Sequence, residues 1–184
     1  MTDPAFTDAA GPWLEGARRV ASPNQDDRPS GDPVCLIVIH SISLPPGQFG
    51  GAAIEQLFTN CLDPLEHPYF HEVHGLRVSA HFLIRRDGEL VQFVATSKRA
   101  WHAGVSCWHG REGCNDISIG IELEGDDAHP FNDTQYASLG KLVCALRGQY
   151  PIEAVVGHAD IAPGRKTDPG PWFDWRRLAA LSDD

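Results

Sequence analysis

The sequence predicts a single α/β domain: a central β-sheet of mixed direction flanked by α-helices. Three observations carry this expectation. Short apolar runs rich in β-branched residues recur along the chain, most clearly Val34–Ile39 and Ile117–Glu124. Between them and after them lie stretches with apolar residues at helical spacing. Asp87-Gly88 separates two strand-like runs as a hairpin would, so the sheet cannot be purely parallel.

Taken in order, residues 21–33 are rich in Pro, Asp and Asn and read as a loop. Val34–Ile39 follows as a buried strand whose carboxyl end delivers His40. A helix is expected around Ala52–Leu62, with Ile54, Leu57 and Phe58 on one face. Val78–Arg85 and Glu89–Val94 form the hairpin. Ile117–Glu124 alternates, its Ile/Leu face packing and its other face presenting Ser118, Gly120, Glu122 and Glu124, small residues beside glutamates that leave room for a ligand. Asn132 and Gln135 form a capping-box pair, and Tyr136, Leu139, Val143 and Leu146 continue a helix that Pro151 stops. Ala154–Val156 is a short strand, and Asp174–Leu181 is a final amphipathic helix. The domain is expected over residues 13–184, after a flexible segment 1–12.

At 184 residues and 42% hydrophobic content the chain is long enough to bury one core. A formal net charge of -10 argues against nucleic acid or an anionic membrane as the principal partner. The five cysteines, at 35, 61, 107, 114 and 144, form neither a C-x-x-C pair nor an even set, which favours free thiols in a reducing compartment. With no signal-peptide pattern at Met1–Ala5, and no apolar run long enough to span a bilayer, the expectation is a soluble cytoplasmic protein. Nothing demands more than a monomer.

The densest chemistry lies in Gly157–Gly170, where His158, Lys166 and Asp168 share a loop with few apolar residues. His40, His158 and Asp168 each lie at or after a predicted strand end, where sequence-distant residues meet in a cleft. Two neutral imidazoles and one carboxylate leave a fourth tetrahedral position open, the pattern of catalytic zinc. Spacing alone leaves a plain alternative open, with His40 a satisfied strand-end histidine and Asp168 a turn former before Pro169. Three rivals compete. His67–His74 resembles a zinc-protease helix, but only Val73 separates Glu72 from the second histidine, where the motif needs two residues. Glu122 and Glu124 share a strand face at about 7 Å, near glycosidase separations, yet that pair flanks its bond from opposite sides. Cys35 or Cys107 can serve as a nucleophile only beside a base, and the sequence positions none.

Several segments, in order, resemble one known family. They are Gly16–Val20, Val38–Gly47 with its His-Ser-Ile-Ser-Leu-Pro-Pro-Gly run, Arg77–Ile84, Arg99–Ser106 with Trp101-His102-Ala103-Gly104, Cys114–Asp116, Ser118–Gly125, and the loop Gly157–Gly170. Together they cover roughly residues 13–178 and resemble the zinc N-acetylmuramoyl-L-alanine amidases of the peptidoglycan-recognition superfamily. Within it, the similarity is to the cytoplasmic enzymes that act on 1,6-anhydro-muropeptides. The resemblance implies a zinc ion on His40, His158 and Asp168, Glu122 as acid/base and Lys166 as the transition-state cation. It implies hydrolysis of the amide between anhydro-N-acetylmuramic acid and L-alanine during peptidoglycan recycling, with an indirect effect on β-lactamase induction. The residue types suit the task. A metal polarises the carbonyl, a carboxylate moves the proton that the amine needs to leave, and a fixed cation counts only as oxyanion charge builds.

In the same light Arg77 offers a clamp for a stem-peptide carboxylate, with a surface charge the competing account. Trp101 and His102 offer a cleft wall, with a packed core Trp as the alternative. Two positions depart from some relatives. Ser41 replaces an asparagine, and Gly113 replaces an arginine for which Arg111 is the candidate substitute. Two other functions use the same fold: a non-catalytic peptidoglycan-binding module, which typically loses metal ligands retained here, and an extracytoplasmic amidase, which the missing leader and unpaired cysteines disfavour.

Overall fold

The computed structural model describes residues 6–7 and 12–182. Its centre is a six-stranded sheet with the spatial order Ala154–Gly157, Leu36–Ile42, Ser118–Glu124, Phe82–Ile84, Leu90–Gln92, Arg18–Arg19. Leu36–Ile42 runs parallel to both of its neighbours, whereas Phe82–Ile84 and Leu90–Gln92 are antiparallel. The mixed direction expected from the hairpin is therefore present. Its turn closes with Gly88 donating to the Arg85 carbonyl at 2.9 Å. Gly88 sits at φ 89°, a conformation costly for any residue with a Cβ.

The two longest strands are buried on both sides, and the sides differ in content. Ile37, Ile39, Ile119, Ile121 and Leu123 pack against Tyr136, Leu139, Val143 and Leu146 of the helix Asp133–Gln149. Each such side chain, fully buried, contributes roughly 1.5–3 kcal/mol. That helix begins where expected: Gln135 Oε1 accepts from the Asn132 N–H at 3.0 Å, the return bond of a capping box. It ends at Gln149, ahead of Pro151, and the final helix Trp175–Ser182 packs beside it. On the opposite side, Leu36 and Val38 meet Ala103, Cys114 and Ile161. A further apolar cluster joins Leu83, Val91 and Phe93 to the short helices Ala53–Phe58 and Pro68–Val73.

Several elements differ from the sequence expectation. The first long strand reaches Ile42, so His40 lies inside it rather than beyond its end; Ser41 and Ile42 keep pairing with Leu123 and Glu124. The helix near residue 52 is shorter than expected and stops at Phe58. The stretch 21–33 is not wholly loop. Gln25–Asp27 pairs antiparallel with Lys98–Ala100, and the pairing is written in charge: Asp26 faces Arg99 and Asp27 faces Lys98. The expected flexible segment 1–12 falls mostly outside the described residues; within it, Phe6–Thr7 pairs antiparallel with Trp13–Leu14. Among the described residues no helix is long and apolar enough to cross a membrane.

Candidate active site

Register assembles the site. Glu122 is the parallel partner of His40, and Gly157 is the partner of Ile39, so His158 follows beside His40. Three chemically active side chains thus stand in a row across adjacent strands. Asp168 comes from the long loop, which folds back as its carbonyl accepts from Ala159 N–H at 3.0 Å.

His40 Nδ1, His158 Nδ1 and Asp168 Oδ2 form a near-equilateral triangle. His40 Nδ1 lies 3.0 Å from each of the other two atoms, which are 3.1 Å apart. His158 Nε2 faces the Ala103 carbonyl at 3.0 Å. A carbonyl only accepts, so the proton sits on Nε2 and the Nδ1 lone pair points into the triangle. Burial pushes His40 down to about 4, so its ring is neutral near pH 7, with Nε2 against His102 Nδ1 at 2.9 Å. Three electron pairs converging at this distance repel one another unless a cation lies between them. Two imidazole nitrogens, one carboxylate oxygen and an open side suit a divalent metal, whose tetrahedral ligands stand roughly 3.3 Å apart. Among the described residues this is the one His/Cys/Asp/Glu cluster able to hold such an ion.

Glu122 stands beside the triangle, 9% exposed. Its Oε2 is the one buried side-chain N or O atom without a hydrogen-bond partner among the described residues. Burial, then the neighbouring Asp168 charge, holds its carboxyl well above the usual range, opposed by the Lys166 cation. All five residues, with Ser41, Tyr69 and Trp101, line one cleft of about 410 Å³ whose other wall is apolar.

The remaining expected residues fall elsewhere or take other tasks. His102 borders the cleft, but its half-buried ring stands behind His40 and is bonded there and to Ser118 Oγ, which leaves it little to offer a ligand. Arg77 is exposed, donates to Asn60 Oδ1 at 3.2 Å and lies outside the cleft lining. Arg111 is also outside it, paired with Asp32 at 2.6 Å. The room expected beside Glu122 at Gly120 is taken: a Cβ there would lie 2.4 Å from the His102 ring.

His81 carried no role in the sequence reading. It is fully buried, its Nδ1 accepts the Gly120 N–H at 3.0 Å, and burial with the adjacent Arg28 cation pushes it down to about 3. Its place within the family-like segment Arg77–Ile84 is the one sign of it in the sequence.

The comparisons agree with this arrangement. Residues 30–171 match the profile of the N-acetylmuramoyl-L-alanine amidase family. The 1,6-anhydro-N-acetylmuramyl-L-alanine amidase AmpD of Escherichia coli (strain K12) is 59% identical over 171 residues, covering 92% of this chain and 93% of that protein. The chain belongs to the N-acetylmuramoyl-L-alanine amidase family. The crystal structure of a selenomethionine derivative of AmpD matches this amidase with a TM-score of 0.89 at 59% identity, covering 92% of this chain and 96% of that one. E. coli AmiD, in complex with the substrate anhydro-N-acetylmuramic acid-L-Ala-D-γ-Glu-L-Lys, matches at a TM-score of 0.60 and 28% identity, covering 97% and 65%.

Family membership and geometry together dispose of the rival readings. In the amidase, Pro68–Val73 is indeed helical, capped by the His67 side chain, but His71, Glu72 and His74 are exposed and form no metal cluster. Glu124 is no partner for Glu122 in glycoside cleavage. It accepts from Gly50 N–H at 2.6 Å and Arg86 N–H at 3.1 Å, and pairs with Arg85 at 3.3 Å. Its lone pairs are spent on structure. All five cysteines are free thiols, and neither Cys35 nor Cys107 lines the cleft.

Proposed function

We propose that this chain is a zinc-dependent amidase cleaving the amide between 1,6-anhydro-N-acetylmuramic acid and the L-alanine of a stem peptide. The observation that carries the reading is the lone-pair triangle of His40, His158 and Asp168 beside the unpartnered Glu122. The names of AmpD and of the AmiD–substrate complex support the substrate class. Zinc held at the triangle supplies Lewis acidity toward the scissile carbonyl and an acidified water.

The chain's own groups do the rest. Glu122 Oε2 takes the proton of the attacking water. Its raised proton affinity keeps that proton available for the departing amine nitrogen, without which an amide does not leave. Lys166, exposed at the cleft edge, places its ammonium toward the oxygen on which charge builds. Trp101 and Tyr69 give the sugar and peptide an aromatic wall. The enzyme acts as a monomer in the cytoplasm on recycled muropeptides, a placement supported by its free thiols.

The test supplies purified protein with anhydro-muramoyl-tripeptide, with and without a chelator, and weighs the products by mass spectrometry. Free tripeptide and anhydro-muramic acid are expected, lost on chelation and restored by zinc. Cleavage between sugars, or amide cleavage indifferent to chelation, overturns the proposal.

A further inference from the structure

Both imidazoles of the triangle hand their outer nitrogens to consecutive residues of one segment, His40 to the His102 ring and His158 to the Ala103 carbonyl. Side chains hold its backbone from two directions, Arg165 Nη2 donating to the Ala103 carbonyl at 2.8 Å. Asn115 Oδ1 accepts the backbone N–H of His102 at 3.1 Å and of Ala103 at 2.8 Å. Beyond His102 the bonds continue: its Nε2 meets Ser118 Oγ at 3.2 Å, and the Ser118 hydroxyl lies 2.6 Å from the Cys114 carbonyl.

The direction of every proton in this chain is fixed from its far end. The Cys114 carbonyl accepts only, so Ser118 donates to it and offers its own lone pair to His102. His102 therefore carries its proton on Nε2 and presents Nδ1 as an acceptor. His40 must then donate from Nε2, and its Nδ1 lone pair is left facing Asp168 and His158. Space for the chain depends on Gly120, because any side chain there would displace the His102 ring.

We propose that His102, oriented by Ser118, Asn115 and the bare Gly120, is a positioning residue that locks His40 in its metal-binding tautomer and thereby sets zinc affinity without touching metal or substrate. The inference rests on the zinc reading above and deepens it: an outer partner that fixes ring orientation and ligand basicity commonly changes metal affinity by about 10–100-fold.

The test measures zinc dissociation constants by competition with a chromophoric chelator, together with the visible absorption of the cobalt-substituted protein. Thermal melting of the chelated protein reports folding. Ser118→Ala is expected to weaken zinc binding several-fold and to alter the cobalt spectrum while the chelated melt stays put. His102→Leu is expected to cost about 10–100-fold. His102→Asn, whose Oδ1 can stand where Nδ1 accepts, is expected to recover most of that loss. Zinc binding and cobalt spectra unchanged in Ser118→Ala and His102→Leu overturn the inference alone. Equal losses in His102→Leu and His102→Asn, with Ser118→Ala unaffected, reduce His102 to a packing role and overturn it too. Failure of the unaltered protein to bind zinc overturns the zinc reading itself, and is distinguishable because it appears before any substitution.

Discussion

On one side of the paired strands Leu36–Ile42 and Ser118–Glu124 lie Ile37, Ile39, Ile119, Ile121 and Leu123; on the other lie Val38, His40, Ser118, Gly120 and Glu122. Both sides are buried, so exposure does not distinguish them. The helix side is held by volume, with contacts that are individually weak and non-directional. The cleft side is held by directed bonds, in which, among the described residues, each buried polar side-chain atom has a partner save Oε2 of Glu122. Because successive side chains alternate, a register slip of a single residue would exchange the two sets. The apolar side therefore fixes which residues become the chemistry.

This contrast predicts that substitutions on the two sides damage different properties. The largest effect is expected at Glu122→Gln, which should lower kcat by about 10²–10⁴-fold through loss of the proton carrier. Its thermal stability at neutral pH should not fall, since an unpartnered buried carboxyl is removed. A Glu122→Gln protein that turned over normally would end the assignment. Ile121→Ala, one residue away and facing the helix, should reverse the pattern. A loss of about 2–5 kcal/mol in urea unfolding is expected, with stoichiometric zinc retained in the folded fraction.

A smaller effect concerns acid. His81 titrates near the ordinary value of 6.5 when unfolded but is pushed down to about 3 when folded. Between those values the unfolded chain binds a proton that the folded chain does not. Stability is therefore lost as pH falls from about 6.5 toward about 3, with a slope of up to about 1.4 kcal/mol per pH unit from this group. His81→Gln should flatten that limb in a series of unfolding curves; an unchanged slope would contradict the buried neutral ring. The smallest change is expected from Asn132→Ala, a cap far from the cleft, at about 0.5–2 kcal/mol with kcat untouched.

Much of this architecture was legible in the sequence because it was written in apolar periodicity. The Val34–Ile39 run, the 117–124 alternation and the helix before Pro151 were each found near their observed places. Gln25–Asp27 escaped because its pairing with Lys98–Ala100 rests on opposite charges in two distant segments, and no local pattern links them. At the site, motif content located the triangle and Glu122, which the structure brings together. It misjudged the space beside them. Gly120 read as space for a ligand, because sequence cannot show that the ring of His102, which does border the cleft, fills the gap a missing side chain leaves. Arg77 reads as a carboxylate clamp from its fork and Arg111 as a substitute for an arginine at position 113, but neither reading says where a flexible side chain finds its partner, here Asn60 and Asp32.

Glu124 gives the cleft an unequal build. Two residues beyond Glu122 on the same strand, its carboxylate grips the Gly50 backbone, and Gly50 ends the loop that carries Ser43, Leu44 and Pro46 along the cleft. That jaw is thereby tied to the strand that also bears Glu122. The opposing jaw, Tyr69 to Leu76, is a short helix and turn with Leu76 48% exposed. The cleft is thus bonded to the sheet on one side and rests on a short, partly exposed helix and turn on the other.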